Sequence, residues 1–316
     1  MRALFLLLWL IPLIACAPAK RKVPLVGFVD ALVDETLAEA RKGFFQALAD
    51  SGYSEEQKTL RVLYRNAQND LPTLTQIVDY YIAQQVDLIA TCPSVATIAA
   101  CQKTRTIPVC MMVSPSPADA GLLDAHGNPP SNLFGVYEET WYIDTSLALI
   151  RQLLPQARRV GAIFNQAEPQ SRNALRALEQ MCAHLGLELV ALPVNNSSES
   201  KLVLETLLAK GIDVFFAPPD NTVFASFPAI INSCQNARVP VFTSEAGLVK
   251  AGAVAAYGAD LYAWGYQAGQ QAARFFRQGS LQGLGPQLVN KRVRVYNPSV
   301  ARQYGIEFPK EFIPLQ

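Results

Sequence analysis

The sequence predicts an α/β protein made of two Rossmann-like lobes, each of which contains a parallel sheet. From residue 23 onward, short apolar runs rich in Val, Ile and Phe alternate with longer amphipathic stretches, a pattern typical of βα units. This alternation occurs in both halves of the chain with matching order and without obvious sequence identity. The 316 residues, half of them hydrophobic, are enough for two domains of about 100 to 200 residues each.

The first half begins with an apolar run at residues 23–29, which predicts a buried strand. In the following stretch, Leu37, Phe44 and Leu48 recur at helical spacing, and Gly52 ends the helix. Further strands are predicted at residues 60–64, 86–91, 108–113 and 133–137, and further helices at residues 71–84 and 94–103. The intervening residues 114–132 are rich in Pro, Gly, Ser and Asp, which argues against a regular element.

The second half repeats this order of elements. Strands are predicted at residues 160–164, 187–193, 213–217, 239–243 and 253–257, and helices at residues 143–154, 171–185, 198–209 and 223–236. A long helix at residues 261–278 carries Ala268, Ala272 and Phe275 on one face, and a last strand follows at residues 293–296. Periodicity alone does not assign these last two elements to either lobe.

The N-terminus differs from the rest of the chain. A short basic start precedes an apolar run at residues 3–15, which is too short to span a bilayer and is typical of an export signal. The run ends in LIAC at residues 13–16, which resembles the bacterial lipobox that is cleaved before Cys16, whose thiol then carries a lipid anchor. An ordinary secretory signal with an incidental cysteine is the alternative. We therefore predict a signal peptide and tether at residues 1–22.

Charge and cysteine usage limit the possible partners. The 27 basic and 26 acidic residues nearly cancel, so we expect no nucleic-acid partner. Beyond Cys16, five cysteines remain without any spacing that suits zinc, and at least one of them must stay unpaired. We interpret them as small buried residues, and a disulfide from Cys92 to Cys101 or Cys110 is the alternative.

The sequence contains no pattern that supports catalysis. No phosphate loop, GxGxxG motif or nucleophile elbow follows a strand, and neither His126 nor His184 has a convincing partner. We therefore predict that the protein is not an enzyme and that it requires no cofactor or metal.

In open α/β sheets, ligands sit at the carboxyl ends of the strands, so the candidate binding residues are those that follow each strand. These candidates are Thr91, Pro93, Ser94, Tyr137, Asn165, Glu168, Ser171, Asp220, Asn221, Ser244, Glu245 and Asp260. Tyr137, together with Trp141 and Trp264, is a candidate for an aromatic wall, although simple packing near a hinge is the alternative.

The candidates could bind the two charged groups of a zwitterion at separate places. Ser94 starts a predicted helix whose free N–H groups favour a carboxylate, although Ser94 alternatively only caps that helix. Asp220, with Glu245 or Asp260, is a candidate partner for an ammonium group, and capping of the next helix is again the alternative. For Glu168, the alternative role is to complement a helix dipole.

Segments along the whole chain carry a family resemblance. They include ARKGFFQALADSGY at residues 40–53, NLFGVY at 132–137, PPDNTV at 218–223, VPVFTSE at 239–245 and LYAWGYQAGQQAARFFRQG at 261–279. In this order they resemble the ABC-transporter substrate-binding family that includes tryptophan- and tyrosine-type binding proteins, and the resemblance extends from residue 23 to about residue 306. Members often have a Gly-Thr-Pro-Ala-like turn where this chain has TCPS at residues 91–94, and Ser-Asp where it has Ser244-Glu245.

The resemblance implies the periplasmic-binding-protein type I fold, in which three strands form a hinge between the lobes. The crossings would lie near Tyr137, Gly258 and Gly283. The first lobe would comprise residues 23–137 plus 259–282, and the second lobe residues 138–258 plus 283–316. The resemblance also favours Asn165 and Ser171 as ligand contacts.

The implied function is that of an exported solute-binding lipoprotein. It would hold a small zwitterion, which the family implies to be an amino acid, aromatic or branched, and deliver it to an ABC permease in the inner membrane. The protein would be outside the cytoplasm, lipid-anchored to the cell membrane or in the periplasm. The alternative is a ligand-sensing component that presents its closed form to a chemoreceptor or sensor kinase, and the sequence does not separate the two.

Overall fold

The structure is a computed structural model that describes residues 23–139 and 142–315. The predicted signal peptide and tether at residues 1–22, including Cys16, lie outside the described residues, as does the aromatic candidate Trp141. Within the described part of the chain, no helix is both long and apolar enough to cross a membrane.

The first part of the chain alternates strands and helices as predicted. Its elements are β1 (Leu25–Asp30), α1 (Glu35–Asp50), β2 (Arg61–Asn66), α2 (Leu71–Ala83), β3 (Leu88–Cys92), α3 (Ser94–Lys103), β4 (Val109–Met111) and β5 (Leu133–Tyr137). β1, β3 and β4 are buried along almost their whole length, because helices cover both faces of the sheet.

The second part continues the alternation. Its elements are α4 (Tyr142–Leu153), β6 (Arg159–Phe164), α5 (Pro169–Leu185), β7 (Glu188–Pro193), α6 (Ser200–Ala209), β8 (Val214–Ala217), α7 (Asn221–Asn236), β9 (Val241–Thr243), α8 (Ala246–Lys250), β10 (Ala255–Ala259), α9 (Leu261–Gln278), β11 (Pro286–Leu288), β12 (Arg292–Tyr296), α10 (Pro298–Gln303) and β13 (Ile313–Pro314). The sequence patterns missed α8, β11, α10 and β13, because each is too short to show a periodicity.

The strands form two sheets, one in each lobe. The first sheet has the order β11-β5-β4-β3-β1-β2, with every neighbouring pair parallel. The second has the order β13-β12-β10-β9-β8-β6-β7, and only its β10 and β12 pair is antiparallel. The predicted two-lobed α/β fold with parallel sheets is therefore confirmed.

The chain passes between the sheets after β5, after β10 and between β11 and β12. β11 pairs with β5 at the edge of the first sheet, so the third passage follows Leu288, whereas the resemblance implies a crossing near Gly283.

The long helix α9 belongs to the first lobe, because it packs lengthwise against α1 and contacts β5. The predicted inner face of α1 is buried, and it includes Leu37, Phe44 and Leu48. Gly265 permits the close approach of the two helices: a Cβ atom there would lie 1.7 Å from the carbonyl oxygen of Ala40.

The cysteines confirm the interpretation as small buried residues. Within the described ranges, all of them are buried free thiols, so the alternative disulfide of Cys92 is not formed. Burial raises the pKa of the Cys92 thiol to about 12, and a thiol that stays protonated is a poor nucleophile.

Candidate ligand-binding site

A small cavity lies between the lobes, at the carboxyl ends of strands from both sheets. We call it the interlobe cavity. Its volume is about 40 Å³, which is room for about three water molecules. The first lobe and α9 contribute Pro93, Ser94, Val113, Ser114, Pro115, Glu138, Glu139 and Trp264, and the second lobe contributes Gln170, Pro219, Asp220, Asn221, Phe224 and Glu245.

The structure brings together only part of the predicted binding set. Pro93, Ser94, Asp220, Asn221 and Glu245 line the interlobe cavity. The other candidates do not line it, namely Thr91, Tyr137, Asn165, Glu168, Ser171, Ser244 and Asp260. Their contacts explain why, except for Ser244, whose buried hydroxyl has no hydrogen-bond partner among the described residues.

The start of α3 lies at the cavity without a side-chain cap. The helix begins at Ser94, and the preceding Pro93 makes no capping hydrogen bond, so Ser94 is the first helical residue and not the N-cap that the sequence suggested. The first turn also carries no acidic residue. Its backbone N–H groups and the positive end of the helix dipole therefore favour an anion at this point.

Thr91 is buried in the first lobe, where it holds the end of β3 against α3. Its hydroxyl lies 2.8 Å from the hydroxyl of Thr97 and donates to the carbonyl of Cys110 at 3.3 Å. Tyr137 is half-buried at the end of β5, where its carbonyl accepts a hydrogen bond from the amide of Val289. Both residues therefore form hydrogen bonds within the first lobe and do not reach the cavity.

Asp220 caps α7 with its side chain. One carboxylate oxygen accepts from the amide of Val223 at 2.9 Å, and the other accepts from the amide of Asn165 at 2.7 Å and from the hydroxyl of Ser171. Burial raises the pKa of Asp220, although these donors act in the opposite direction. Since protein donors occupy both oxygens, the structure favours the capping role and explains why Asn165 and Ser171 lie behind the wall.

Glu168 points towards the start of α7 and not along its own helix. Its carboxylate accepts from the amide and the side-chain nitrogen of Asn221 at 3.1 and 2.7 Å, and from Gln170. Burial, followed by the nearby charge of Asp220, raises the pKa of Glu168 to about 7. Glu168 therefore positions Asn221 and Gln170, which do line the cavity.

Glu245 follows β9 and is the predicted acidic residue that reaches the cavity from this strand. It is 3% exposed, and its backbone amide donates to the hydroxyl of Thr243 at 3.1 Å. Asp260 faces elsewhere, because it caps α9 through the amide of Ala263 and forms a 2.9 Å ion pair with Lys291. Asp260 is therefore not placed to serve as an ammonium partner in this cavity.

Several lining residues were missed by the sequence reasoning. Ser114 and Pro115 directly follow β4, and Glu138 and Glu139 follow β5, so the rule of strand ends could have found them. The irregular composition of residues 114–132 conceals Ser114 and Pro115, and Glu138 and Glu139 lie one and two residues beyond the candidate Tyr137. Phe224, in the first turn of α7, carries no polar pattern and could not have been found in this way.

Glu138 joins two of the hinge segments. Its carboxylate receives both a 3.0 Å and a 2.6 Å hydrogen bond from the guanidinium of Arg292 at the start of β12. Burial raises the pKa of Glu138, whereas Arg292 acts to lower it. This buried pair links the first passage between the lobes to the third.

The charges around the cavity are unevenly distributed. The described lining residues include the carboxylates of Glu138, Glu139, Asp220 and Glu245 and no Lys or Arg. The open start of α3, in the first lobe, is a positive element, and the second lobe contributes Asp220 and Glu245. Glu138 already pairs with Arg292, so the two lobes differ in the charge that they bring to the cavity.

Direct contacts hold the lobes together on both sides of the cavity. The side-chain nitrogen of Asn221 donates to the hydroxyl of Ser94 at 3.4 Å, and that of Asn173 donates to the carboxylate of Asp119 at 2.8 Å. Each of these bonds joins the first lobe to the second. The structure is therefore in a closed arrangement.

Comparisons with known proteins agree on one family. The family model described as "ABC transporter substrate binding protein" matches residues 25–314. A tyrosine-binding protein of Clostridioides difficile is 31% identical over 247 residues, which are 78% of this chain and 71% of that protein.

Two solved structures have the same fold. A conserved domain protein from Vibrio cholerae is 24% identical, with 93% of this chain and 100% of that chain covered and a TM-score of 0.86. An ABC domain from Streptococcus pneumonia in complex with L-Trp is 21% identical, with 92% and 97% covered and a TM-score of 0.84.

Proposed function

Because the chain belongs to the ABC-transporter substrate-binding protein family, whose members are binding proteins and not enzymes, we propose that it captures an amino acid between its lobes and delivers it to an ABC permease in the inner membrane. We propose further that it works outside the cytoplasm as a lipoprotein anchored through Cys16. The lipobox-like sequence at residues 13–16 supports the anchor.

The observation that carries the ligand proposal is the opposition of charges across the interlobe cavity. An amino acid would place its carboxylate at the uncapped start of α3, near Ser94. Its ammonium group would face Glu245. This arrangement suits a zwitterion better than a sugar, because hydrogen bonds between a cation and a carboxylate are stronger than those of a neutral hydroxyl.

An aromatic side chain is the further part of the proposal. The relative from Clostridioides difficile is named for tyrosine, and the neighbour from Streptococcus pneumonia was solved with L-Trp. Contacts to both lobes would stabilise the closed form, because a ligand shifts such an equilibrium only through its difference in affinity for the two forms. The bonds from Asn221 to Ser94 and from Asn173 to Asp119 would then add to closure.

A thermal-shift panel tests this proposal. The mature chain is heated with each proteinogenic amino acid, short peptides and sugars, and the ligands that raise the melting temperature are then titrated by calorimetry. We expect tyrosine or tryptophan to raise the melting temperature by a few degrees, since a ligand at about 100 times its Kd stabilises the folded state by about 2.7 kcal/mol. A rise in melting temperature with sugars alone would refute the proposal that the ligand is an amino acid.

A further inference from the structure

We infer that the side-chain oxygen of Gln170 accepts a hydrogen bond from the ligand's ammonium group, and that Glu168 is the residue that positions this oxygen. This inference rests on the proposed function and deepens it. An ammonium group has three N–H donors that point in different directions, so the carboxylate of Glu245 does not face all of them. Other lining residues must therefore provide further acceptors.

The side chain of Gln170 carries a buried acceptor at the cavity. Gln170 lines the cavity and is 5% exposed, and its Oε1 atom has no hydrogen-bond partner among the described residues. Buried polar atoms without a partner are rare in folded proteins, because each one has lost its hydrogen bonds to water. An amide oxygen can only accept, so the group that binds to it must be a donor.

Glu168 determines which end of the Gln170 amide faces the cavity. The carboxylate of Glu168 accepts a hydrogen bond from the Nε2 atom of Gln170. An ionised carboxylate can only accept, so it binds the NH2 end of the amide and leaves Oε1 for the ligand. Glu168 is itself held by the amide and the side-chain nitrogen of Asn221 at 3.1 and 2.7 Å, and by the hydroxyl of Thr222 at 3.4 Å. Gln170 therefore presents an acceptor to the cavity.

The contacts of Glu168 place this acceptor near the proposed carboxylate site. The Oε2 atom of Glu168 accepts from both Gln170 and the side-chain nitrogen of Asn221, and the same nitrogen lies 3.4 Å from the hydroxyl of Ser94. These hydrogen bonds link Gln170 to the start of α3. In an α-amino acid, one carbon atom carries both the carboxylate and the ammonium group. A ligand with its carboxylate at the start of α3 would therefore have its ammonium group close to Gln170.

Gln170 also faces the first lobe. Asn173, which lies one turn later on the same face of α5, donates to the carboxylate of Asp119 at 2.8 Å. Asp119 belongs to the segment after β4 that contributes Ser114 to the cavity. Ser114 is 2% exposed, and its hydroxyl oxygen also has no hydrogen-bond partner among the described residues. An ammonium group bound at Gln170 thus lies between the lobes, where bonds to both of them would stabilise the closed form.

The position of Glu168 makes the binding of a cation depend on its protonation. Asp220 is the charged side chain that faces Glu168 from α7, whereas Arg172 on α5 donates to the carbonyl of Gln166 and the first turn of α3 carries no charged side chain. Burial, followed by the charge of Asp220, raises the pKa of Glu168 to about 7. A cation at Gln170 favours the ionised form of Glu168 and so lowers this pKa. Binding should therefore release a proton near neutral pH.

The first test removes the acceptor. L-tyrosine and L-tryptophan are titrated by calorimetry against the unmodified protein, Gln170→Leu and the matched control Gln166→Leu, in which the changed residue is exposed and does not line the cavity. We expect Gln170→Leu to weaken binding at least about tenfold, because the lost bond is to a charged donor, and Gln166→Leu to stay within about twofold. Equal affinities of the two variants would overturn the inference.

The second test separates the charge of Glu168 from a purely structural role. L-tyrosine is titrated at pH 6 and pH 8 against the unmodified protein and Glu168→Gln, in buffers of low and of high ionisation enthalpy. If the ligand lowers the pKa of Glu168 from about 7 to about 6, the affinity of the unmodified protein rises about fivefold between these pH values. The heats in the two buffers report the released proton. Glu168→Gln should show neither effect, and an unmodified protein without them would overturn the role of Glu168.

The outcomes distinguish this inference from the proposed function. Circular dichroism verifies the fold of each variant, and the buffer dependence of the unmodified protein tests the proton release without any substitution. Normal tyrosine binding by Gln170→Leu would overturn the inference alone. Failure of both amino acids to bind the unmodified protein would overturn the proposed function with it.

Discussion

Asp220 and Glu245 are both buried acidic residues that follow a strand and line the same cavity, yet their surroundings differ. The carboxylate of Asp220 accepts from the amides of Val223 and Asn165 and from the hydroxyl of Ser171, so it is part of the second lobe's own framework. The side chain of Glu245 makes no capping bond to α8, which starts immediately after it. At the scale of single residues, the bonds of Asp220 therefore indicate a structural role, and we propose ligand binding for Glu245 because it lines the cavity at the end of β9.

We predict that Asp220→Ala destabilises the protein more than the same change at Asp70. Both residues cap a helix through the amide three positions later, at 2.9 Å for Asp220 and 2.8 Å for Asp70. Only at Asp220 does the substitution also leave two buried donors, the amide of Asn165 and the hydroxyl of Ser171, without their acceptor. We expect Asp220→Ala to cost about 2–4 kcal/mol in the free energy of unfolding. Urea denaturation of both variants measures the difference. Equal losses of unfolding free energy in the two variants would mean that the additional bonds of Asp220 to Asn165 and Ser171 do not stabilise the fold.

We predict a fall in stability with rising pH that depends on Glu168. Burial and the charge of Asp220 raise the pKa of Glu168 from its ordinary value of 4.5 to about 7 in the folded state. Between these values the folded protein binds more protons than the unfolded chain, so the stability that Glu168 contributes is complete below about pH 4.5 and is lost as the pH rises to about 7. Glu168→Gln should therefore lose less melting temperature than the unmodified protein from pH 5 to pH 7.

Exposed Glu179 on α5 offers the control for this experiment. The variant Glu179→Gln should follow the pH profile of the unmodified protein. Parallel profiles of the Glu168 variant and the unmodified protein would contradict the prediction.

Among the helices, α3 differs from its neighbours in how it begins. Aspartates cap α1, α2, α7 and α9, whereas α3 follows Pro93 and has neither a side-chain cap nor an acidic residue in its first turn. The helices α5, α6 and α8 also begin without a side-chain cap, and the start of α3 is an uncapped one that lines the interlobe cavity from the first lobe. At the scale of elements, its N–H groups and dipole are available to a ligand carboxylate.

We predict that Ser94→Asp abolishes ligand binding while Ser94→Ala weakens it only a few-fold. A carboxylate at position 94 would take the place of the ligand's own carboxylate at the start of α3 and repel it, and its interaction with the helix dipole is favourable for folding. We expect at least a tenfold loss of affinity by calorimetry, with no decrease in melting temperature for Ser94→Asp. Similar affinities for the two variants would place the ligand carboxylate elsewhere.

At the scale of the whole molecule, the two lobes close around the cavity through a small number of polar contacts and a hinge of three chain passages. The ion pair of Glu138 with Arg292 ties two of these passages together, so it restricts the hinge without closing the cavity. Small interfaces of this kind permit domain motion, as capture and release of a ligand require. The membrane anchor that we propose is separate from this machinery.

We predict that Cys16→Ser releases the protein from membranes without a change in its ligand affinity. The substitution removes the thiol that would carry the lipid, and the lobes begin only after residue 22. Fractionation of cells that express either form, followed by calorimetry on the purified proteins, measures both properties. Retention of the variant in the membrane fraction would contradict the lipoprotein proposal.

The sequence by itself determined the order of the longer elements, the two mainly parallel sheets and the strand ends at which a site could form. These features depend on local patterns: apolar runs predict strands such as β1, and helical spacing predicts the buried face of α1. The helix start at Ser94 and the acidic residues Asp220 and Glu245 could be proposed in the same way, since each follows a predicted strand.

The tertiary structure alone decided which of these residues line the cavity. The carboxylate of Asp220 accepts hydrogen bonds from Ser171 in α5 and from Asn165 after β6, and Asp260 forms an ion pair with Lys291. Both acidic residues follow a strand, as Glu245 does, and their sequence position does not reveal these partners. Phe224 gives no sign in the sequence that it lines the cavity, because its place there depends on how the two lobes meet. The direction of a side chain is set by partners distant in the sequence, and a local pattern contains no information about them.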